Sequence, residues 1–104
     1  MNRTVRDNTD ASRYEIFEDG QLAGFTEYKI TGDKIALNHT ETLEGFTGRG
    51  VASHLIAEVL ADARRRNLAV LPFCPVVRQT IARHPEKYLN LVPIADRQRF
   101  KLSA

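Results

Sequence analysis

The stretch His39-Thr40-Glu41-Thr42-Leu43-Glu44-Gly45-Phe46-Thr47-Gly48-Arg49-Gly50-Val51-Ala52-Ser53 decides how the rest of the chain is read. Before it, Ile35 and Leu37 alternate with polar or small residues. After it, Val51, Leu55, Val59 and Ala63 recur every fourth residue, flanked by Ala52, Ile56 and Leu60. A period of two marks a strand and a period near 3.6 a helix, so the three glycines join a strand to an amphipathic helix expected over 48–66. With no side chain at Gly45, Gly48 or Gly50, backbone N–H groups lie open where the helix dipole is positive. Gly45, Phe46, Thr47, Gly48, Arg49, Gly50, Val51, Ala52 and Ser53 are therefore a candidate anion site, most naturally for phosphate or pyrophosphate. The same glycines would equally serve a tight turn with no ligand. The Gly-Lys-Ser or Gly-Lys-Thr ending of a nucleoside-triphosphate loop is absent, and no acidic residue closes a neighbouring strand about 20 residues on, as a dinucleotide fingerprint requires.

Toward the N-terminus the pattern stays strand-like. Residues 34–42 form one strand, with Ile35, Leu37, His39 and Glu41 expected on one face and Ala36, Asn38, Thr40 and Thr42 on the other. Thr31-Gly32-Asp33 makes a turn to a strand over 21–30, where Leu22, Gly24, Thr26, Tyr28 and Ile30 share a face. Asp19-Gly20 then makes a two-residue hairpin turn to a strand over 13–18. The result is a three-strand antiparallel meander. Residues 1–12 are polar and unpatterned and read as frayed.

Toward the C-terminus, Arg64-Arg65-Arg66 occupies the last helical turn, where the dipole favours cations, and reads as a solvated face with Asn67 as the C-terminal cap. Leu68-Ala69-Val70-Leu71 is apolar throughout, as a strand covered on both faces should be, and the strand–helix–strand order makes it parallel to 34–42. Pro75 suits the first position of a second helix, which puts Cys74 at its N-cap and His84 at or past its end. Tyr88, Leu89, Leu91 and Val92 form a further apolar patch, a short helix or a last strand, and 96–104 reads as a loose tail.

At 104 residues the chain is long enough for one domain, with an ordered core expected over 13–93. Hydrophobic residues at 42% and charged residues at 27% are ordinary for a globular protein and exclude the disordered and fibrous classes. The net charge of +2, with no Trp, argues against a nucleic-acid binder. The single cysteine excludes an internal disulfide and a cysteine-rich zinc site, so no metal is expected. No apolar leader and no run of about 18 apolar residues is present, which points to an untargeted cytoplasmic protein without a membrane span.

Gly48-Arg49-Gly50-Val51-Ala52 before an amphipathic helix, entered from His39-Thr40-Glu41-Thr42, resembles the acetyl-CoA-binding motif of the Gcn5-related N-acetyltransferases. Leu71-Pro72-Phe73-Cys74-Pro75-Val76-Val77, then Arg83-His84-Pro85-Glu86 and Tyr88-Leu89, is similar to the very small single-domain branch of that superfamily. The likeness covers about residues 13–92. It implies an α/β fold: a curved mixed sheet in which the meander is followed by a β-α-β crossover with a splayed parallel pair, and then a further helix. It implies acetyl-CoA or CoA as cofactor, with the pantetheine arm between the splayed strands, and an amine acceptor of unspecified kind. Gly45 stands where the superfamily usually has Gln or Arg, so one pyrophosphate contact is missing or Arg49 replaces it. The Asp19-Gly20 turn leaves no room for the two helices that shape the acceptor site in larger members, so that site is open or completed by a second copy in a homodimer.

On this resemblance the acyl carbonyl lies near Glu41, His39 and Cys74. Glu41 is then a candidate base for the acceptor ammonium, against the reading of an exposed charge at a strand end. His39 is a base or a packing residue. Cys74, at a helix N-cap whose dipole favours the thiolate, is a candidate acyl-carrying nucleophile or simply a small buried residue. Tyr88 is a weaker candidate for protonating the leaving thiolate, and His84 is too distant to partner Cys74, ten residues of helix spanning ~15 Å. Two other readings remain: a CoA or acyl-CoA binding module without catalysis, and a small protein-interaction domain with a purely structural glycine turn.

Overall fold

The computed structural model describes residues 2–102. Met1, Ser103 and Ala104, the outermost positions of the two segments expected to be loose, lie outside the described residues. One sheet runs in the order β1 (Arg3–Asn8), β2 (Arg13–Glu18), β3 (Gln21–Thr31), β4 (Lys34–Thr42) and β5 (Ala69–Pro72). The first four strands are antiparallel and β5 is parallel to β4. Helix α1 (Val51–Arg65) makes the crossover, and α2 (Pro75–Arg83), α3 (Pro85–Tyr88), a 3₁₀ turn (Leu89–Leu91) and α4 (Ile94–Arg97) complete the chain. Asp19 (φ 51°) and Gly20 (φ 84°) are both left-handed, the combination that matches hairpin twist.

Arg3–Asn8 form a paired strand where a frayed end was expected. Val5 lies opposite Ile16 and packs on the core, while Asp7 and Arg3 make side-chain contacts described below, so polar composition concealed an edge strand. The expected tail is also ordered in part. Phe100 and Leu102 are buried, Phe100 meets the Phe73 ring edge-on at 5.1 Å, and the Arg97 Nε donates to the Val92 carbonyl at 3.0 Å.

Helix α1 begins at Val51 rather than Gly48, because Gly48 (φ 77°) and Gly50 (φ 76°) are left-handed and cannot continue a right-handed helix. Its other end closes as a Schellman motif: Asn67 is left-handed (φ 57°), its N–H donates to Arg64 O at 3.1 Å, and Leu68 N–H donates to Ala63 O at 2.9 Å. The arginine run is exposed, as expected of a solvated face, yet each of its members also has a partner in the protein. Arg64 reaches the Lys87 carbonyl and Asn90, Arg65 pairs with Asp62, and Arg66 reaches Asp7, Tyr14 and Asp62.

Leu55, Ile56, Val59 and Leu60 of α1 and Val77 and Ile81 of α2 pack on one sheet face with Ile16, Ile35, Leu37 and Val70, all with no exposure. Each such aliphatic side chain contributes roughly 1.5–3 kcal/mol relative to exposure. β5 is therefore covered on one face only: Val70 and Pro72 are buried, whereas Ala69 and Leu71 are half-exposed.

Two β-bulges overturn the expected face assignments. Ala23 is inserted opposite Ile16 and Phe17, so Leu22 pairs with Phe17 on one face while Gly24 pairs with Ile16 on the other. Asn38 is inserted opposite Glu27 and Tyr28, which shifts the alternation of β4. Thr40 instead of His39 then follows Leu37 onto the helix-covered face, and His39 and Glu41 turn to the opposite face beside Phe25.

Candidate functional site

Gly45 to Gly50 form consecutive turns between β4 and α1, with Gly45 also left-handed (φ 93°). Phe46 is half-buried against the core and donates its N–H to the Leu43 carbonyl at 3.1 Å, which pins the middle of the loop, while Thr47 is exposed. Gly50 is the N-cap and offers no capping side chain, and the first turn of α1 carries no acidic residue. The first bond inside the helix runs from His54 N–H to Gly50 O, so the N–H groups of Val51, Ala52 and Ser53 have no intrahelical acceptor. A methyl group built on Gly45, Gly48 or Gly50 would meet nothing within 4 Å. The helix start is thus uncapped, positive and open, which suits an anion.

Gly24, which the alternation pattern did not distinguish, seats this helix start. A Cβ there would lie 2.7 Å from the Glu41 carbonyl oxygen and 3.4 Å from Val51 Cγ1, so only glycine allows β3, β4 and the first residue of α1 to meet. Arg49 lies across the loop with its guanidinium paired to Glu18 and 5.7 Å from the Phe46 ring centroid.

The parallel pairing of β4 and β5 covers only Lys34 to Leu37 against Ala69 to Pro72. The last link is Cys74 N–H to Leu37 O at 2.8 Å. Pro72 and Pro75 then turn the chain into α2, while β4 continues to Thr42. Regular pairing of the two strands therefore ends at Leu37, at the end of the sheet nearer the glycine loop. Cys74 is the N-cap of α2 as expected, but its side chain makes no cap bond and is only 2% exposed. Its Sγ lies 3.4 Å from Thr40 Oγ1, which lies 3.0 Å from Thr26 Oγ1. Thr40 and Thr26 were missed because an ordinary alternation puts Thr40 on the wrong face.

His39 and Glu41 are brought together, with Nε2 and Oε1 3.2 Å apart, and both are about half exposed. They flank β4 on the side opposite Cys74. The His39 ring packs 6.2 Å from that of Phe25, and the Arg13 guanidinium lies over the Phe25 ring at 4.4 Å. Beneath them Glu15 is buried yet stays ionised. Burial pushes its carboxyl up, but hydrogen bonds from Arg13 and Asn8 and the Arg13 charge outweigh this and hold it below its usual range. Tyr88 lies elsewhere, lining a groove with Ala57, Leu60, Ala61 and Arg64 on the C-terminal half of α1. Among the described residues no group of three or more His, Cys, Asp or Glu is placed to hold a metal, and no helix is long and apolar enough to cross a membrane.

The chain is thus an α/β domain in which a glycine loop leads into an uncapped helix start beside a parallel strand pair. Residues 13–91 match the family model described as GCN5-related N-acetyl-transferase, and the chain belongs to this family of acetyl-transferring enzymes. No curated protein matches the sequence significantly. Among solved structures, the ribosomal-protein-alanine N-acetyltransferase from Brucella melitensis biovar Abortus 2308 is similar with a TM-score of 0.55 and 19% identity. The match covers 81% of this chain and 63% of that one, so the chain spans less than two thirds of that protein. At this identity the likeness is one of fold.

Proposed function

We propose that the protein is an acetyl-CoA-dependent N-acetyltransferase that acts by direct transfer to an amine. The observation that carries this reading is the uncapped start of α1 next to the end of the pairing between β4 and β5. The N–H groups of Val51, Ala52 and Ser53 would hold the pyrophosphate, and the free edge of β4 beyond Leu37 would bind the pantetheine amides. Acetyl-CoA, when bound, supplies an acyl group already activated as a thioester. What the chain must then do is position an amine and take its proton.

Glu41 is the base this reading favours. Its carboxylate is exposed on the face that no long helix covers, and His39 holds it at 3.2 Å. A positioned base of this kind contributes roughly 10²- to 10⁴-fold. Cys74 fits an acyl carrier less well, because reactive thiols sit in partly exposed settings and this one is enclosed against Thr40. In the direct route it is a buried packing residue beside Thr40. The face carrying Glu41, Phe25 and His39 is where an amine acceptor would approach, and its openness suits a primary amine presented by a larger molecule.

The test is acetyl transfer from labelled acetyl-CoA to a panel of amines and peptides, with intact-mass measurement of the protein in the absence of acceptor. Glu41→Gln should lower kcat by about 100-fold or more with little change in KM for acetyl-CoA, whereas Cys74→Ser should keep most activity. A gain of one acetyl mass on Cys74 that disappears on adding acceptor would replace direct transfer by the covalent route.

A further inference from the structure

Glu18 ends β2 with its carboxylate only 3% exposed, on the face where α1 begins. A buried carboxylate is tolerated only when its oxygens are satisfied, and here two cations from distant parts of the chain do so. Arg3 Nε donates to Glu18 Oε2 at 3.0 Å, and Arg49 Nη2 pairs with Oε1. The same Arg3 guanidinium reaches further, donating through Nη2 to the backbone carbonyl of Arg49 at 2.7 Å. Arg49 is thereby held at both its side chain and its main chain. It lies between Gly48 and Gly50, two left-handed residues at which an added methyl group would meet nothing within 4 Å. Left alone, such a loop samples many conformations, and a ligand that needs one of them must bear the ordering cost on binding.

We propose that Arg3, Glu18 and Arg49 form a clamp that pre-orders the glycine loop, making the N-terminal strand part of the cofactor-binding machinery. The proposal rests on the cofactor reading above. Arg3 and Glu18 are positioning residues: they act on the cofactor through the loop. The fork of Arg3 is essential to this role, because one guanidinium spans an acceptor on β2 and another in the glycine loop, whereas a lysine ammonium, a single point charge, would serve one.

The experiment compares CoA with pantetheine, which lacks the pyrophosphate, by calorimetry and backbone amide shifts on wild type, Arg3→Ala, Arg3→Lys and Glu18→Gln. Arg3→Ala should weaken CoA about tenfold and broaden or shift the amides of Gly48 to Ser53, leaving pantetheine affinity unchanged. Arg3→Lys should reproduce most of that loss although the charge is kept, and Glu18→Gln should fall between. It also remains informative if Arg3→Ala fails to fold. CoA affinity at the wild-type level in a folded Arg3→Lys or Glu18→Gln would overturn the clamp while leaving the cofactor assignment intact. Equal loss of CoA and pantetheine affinity would overturn it too, by showing general damage. Wild type that ignores CoA at millimolar concentration would remove the cofactor assignment and the clamp with it.

Discussion

At its N-terminal end α1 starts from a glycine with no capping side chain, no acidic residue in the first turn and three N–H groups without intrahelical acceptors. At its C-terminal end the same helix is closed by two backbone bonds, a left-handed Asn67 and three arginines, every one of them engaged. The closed end is also tied to the sheet. The Tyr14 hydroxyl donates to Asp62, Arg66 Nη1 donates to the Tyr14 oxygen at 3.1 Å, and the Tyr28 hydroxyl donates to Asp7 at 2.6 Å. Strand β1 serves both ends, through Asp7 at one and Arg3 at the other. The contrast teaches where stability and binding have been separated. A helix end saturated by its own protein fastens the fold, and a helix end left unsaturated but held in shape is available to a ligand.

The comparison is most severely tested at the closed end. Tyr14→Phe removes hydrogen bonds to two charged partners, the partly buried Asp62 and the more exposed Arg66, and should cost about 2 kcal/mol, lowering Tm by roughly 10 °C. CoA affinity should stay within twofold of wild type. A comparable loss of affinity would mean that the two ends are not independent.

Gly50→Ala probes the open end. A residue with a Cβ at φ 76° is strained by roughly 1–2 kcal/mol, a smaller loss of stability than at Tyr14. Here, however, CoA affinity should fall more than tenfold, because the added methyl narrows the approach to the N–H groups of the first turn. The two variants thus have opposite ratios of stability to binding, measurable by chemical denaturation and calorimetry on the same preparations.

The smallest effect concerns alkaline pH. Burial, then the hydrogen bond to Asp7 and its charge, push the Tyr28 hydroxyl up to about 12, and burial with Asp62 raises Tyr14 further. A folded-state value above the unfolded one favours the protonated phenol. The contribution is therefore fully present below about pH 10 and is lost as pH rises from there toward 12. Tyr28→Phe should flatten the stability profile in that window and leave CoA binding unchanged at neutral pH. An identical alkaline slope in wild type and Tyr28→Phe would show that the network is not what titrates.

Much of this molecule was legible from residue patterns because the relevant signals are local. Asp19-Gly20 fixed a hairpin, Pro75 after Cys74 started a helix, and the change of period at Gly45 to Gly50 separated strand from helix. Three things were not legible. The strand Arg3–Asn8 carries little apolar periodicity, since its alternate residues serve ion pairs instead of a core. The segment from Asp96 onward hides two buried anchors, Phe100 and Leu102, among charges. The bulge at Asn38 leaves no mark in composition, yet it decides that Thr40 faces Cys74 and that Glu41 does not.

The sequence by itself determined the order of elements, the glycine loop at the start of an amphipathic helix and the turn that excludes an insertion between Glu18 and Gln21. Each depends on backbone preferences and on periodicity over a few residues. Only the tertiary structure decided that Arg3 and Glu18 meet Arg49, that Asp7 and Tyr14 meet Arg66, that Cys74 meets Thr40, and that His39 and Glu41 lie on the face away from Cys74. The reason is physical. Contacts between strands depend on register, one inserted residue reverses every side chain beyond it, and buried charges are satisfied by partners that only folding brings within 3 Å.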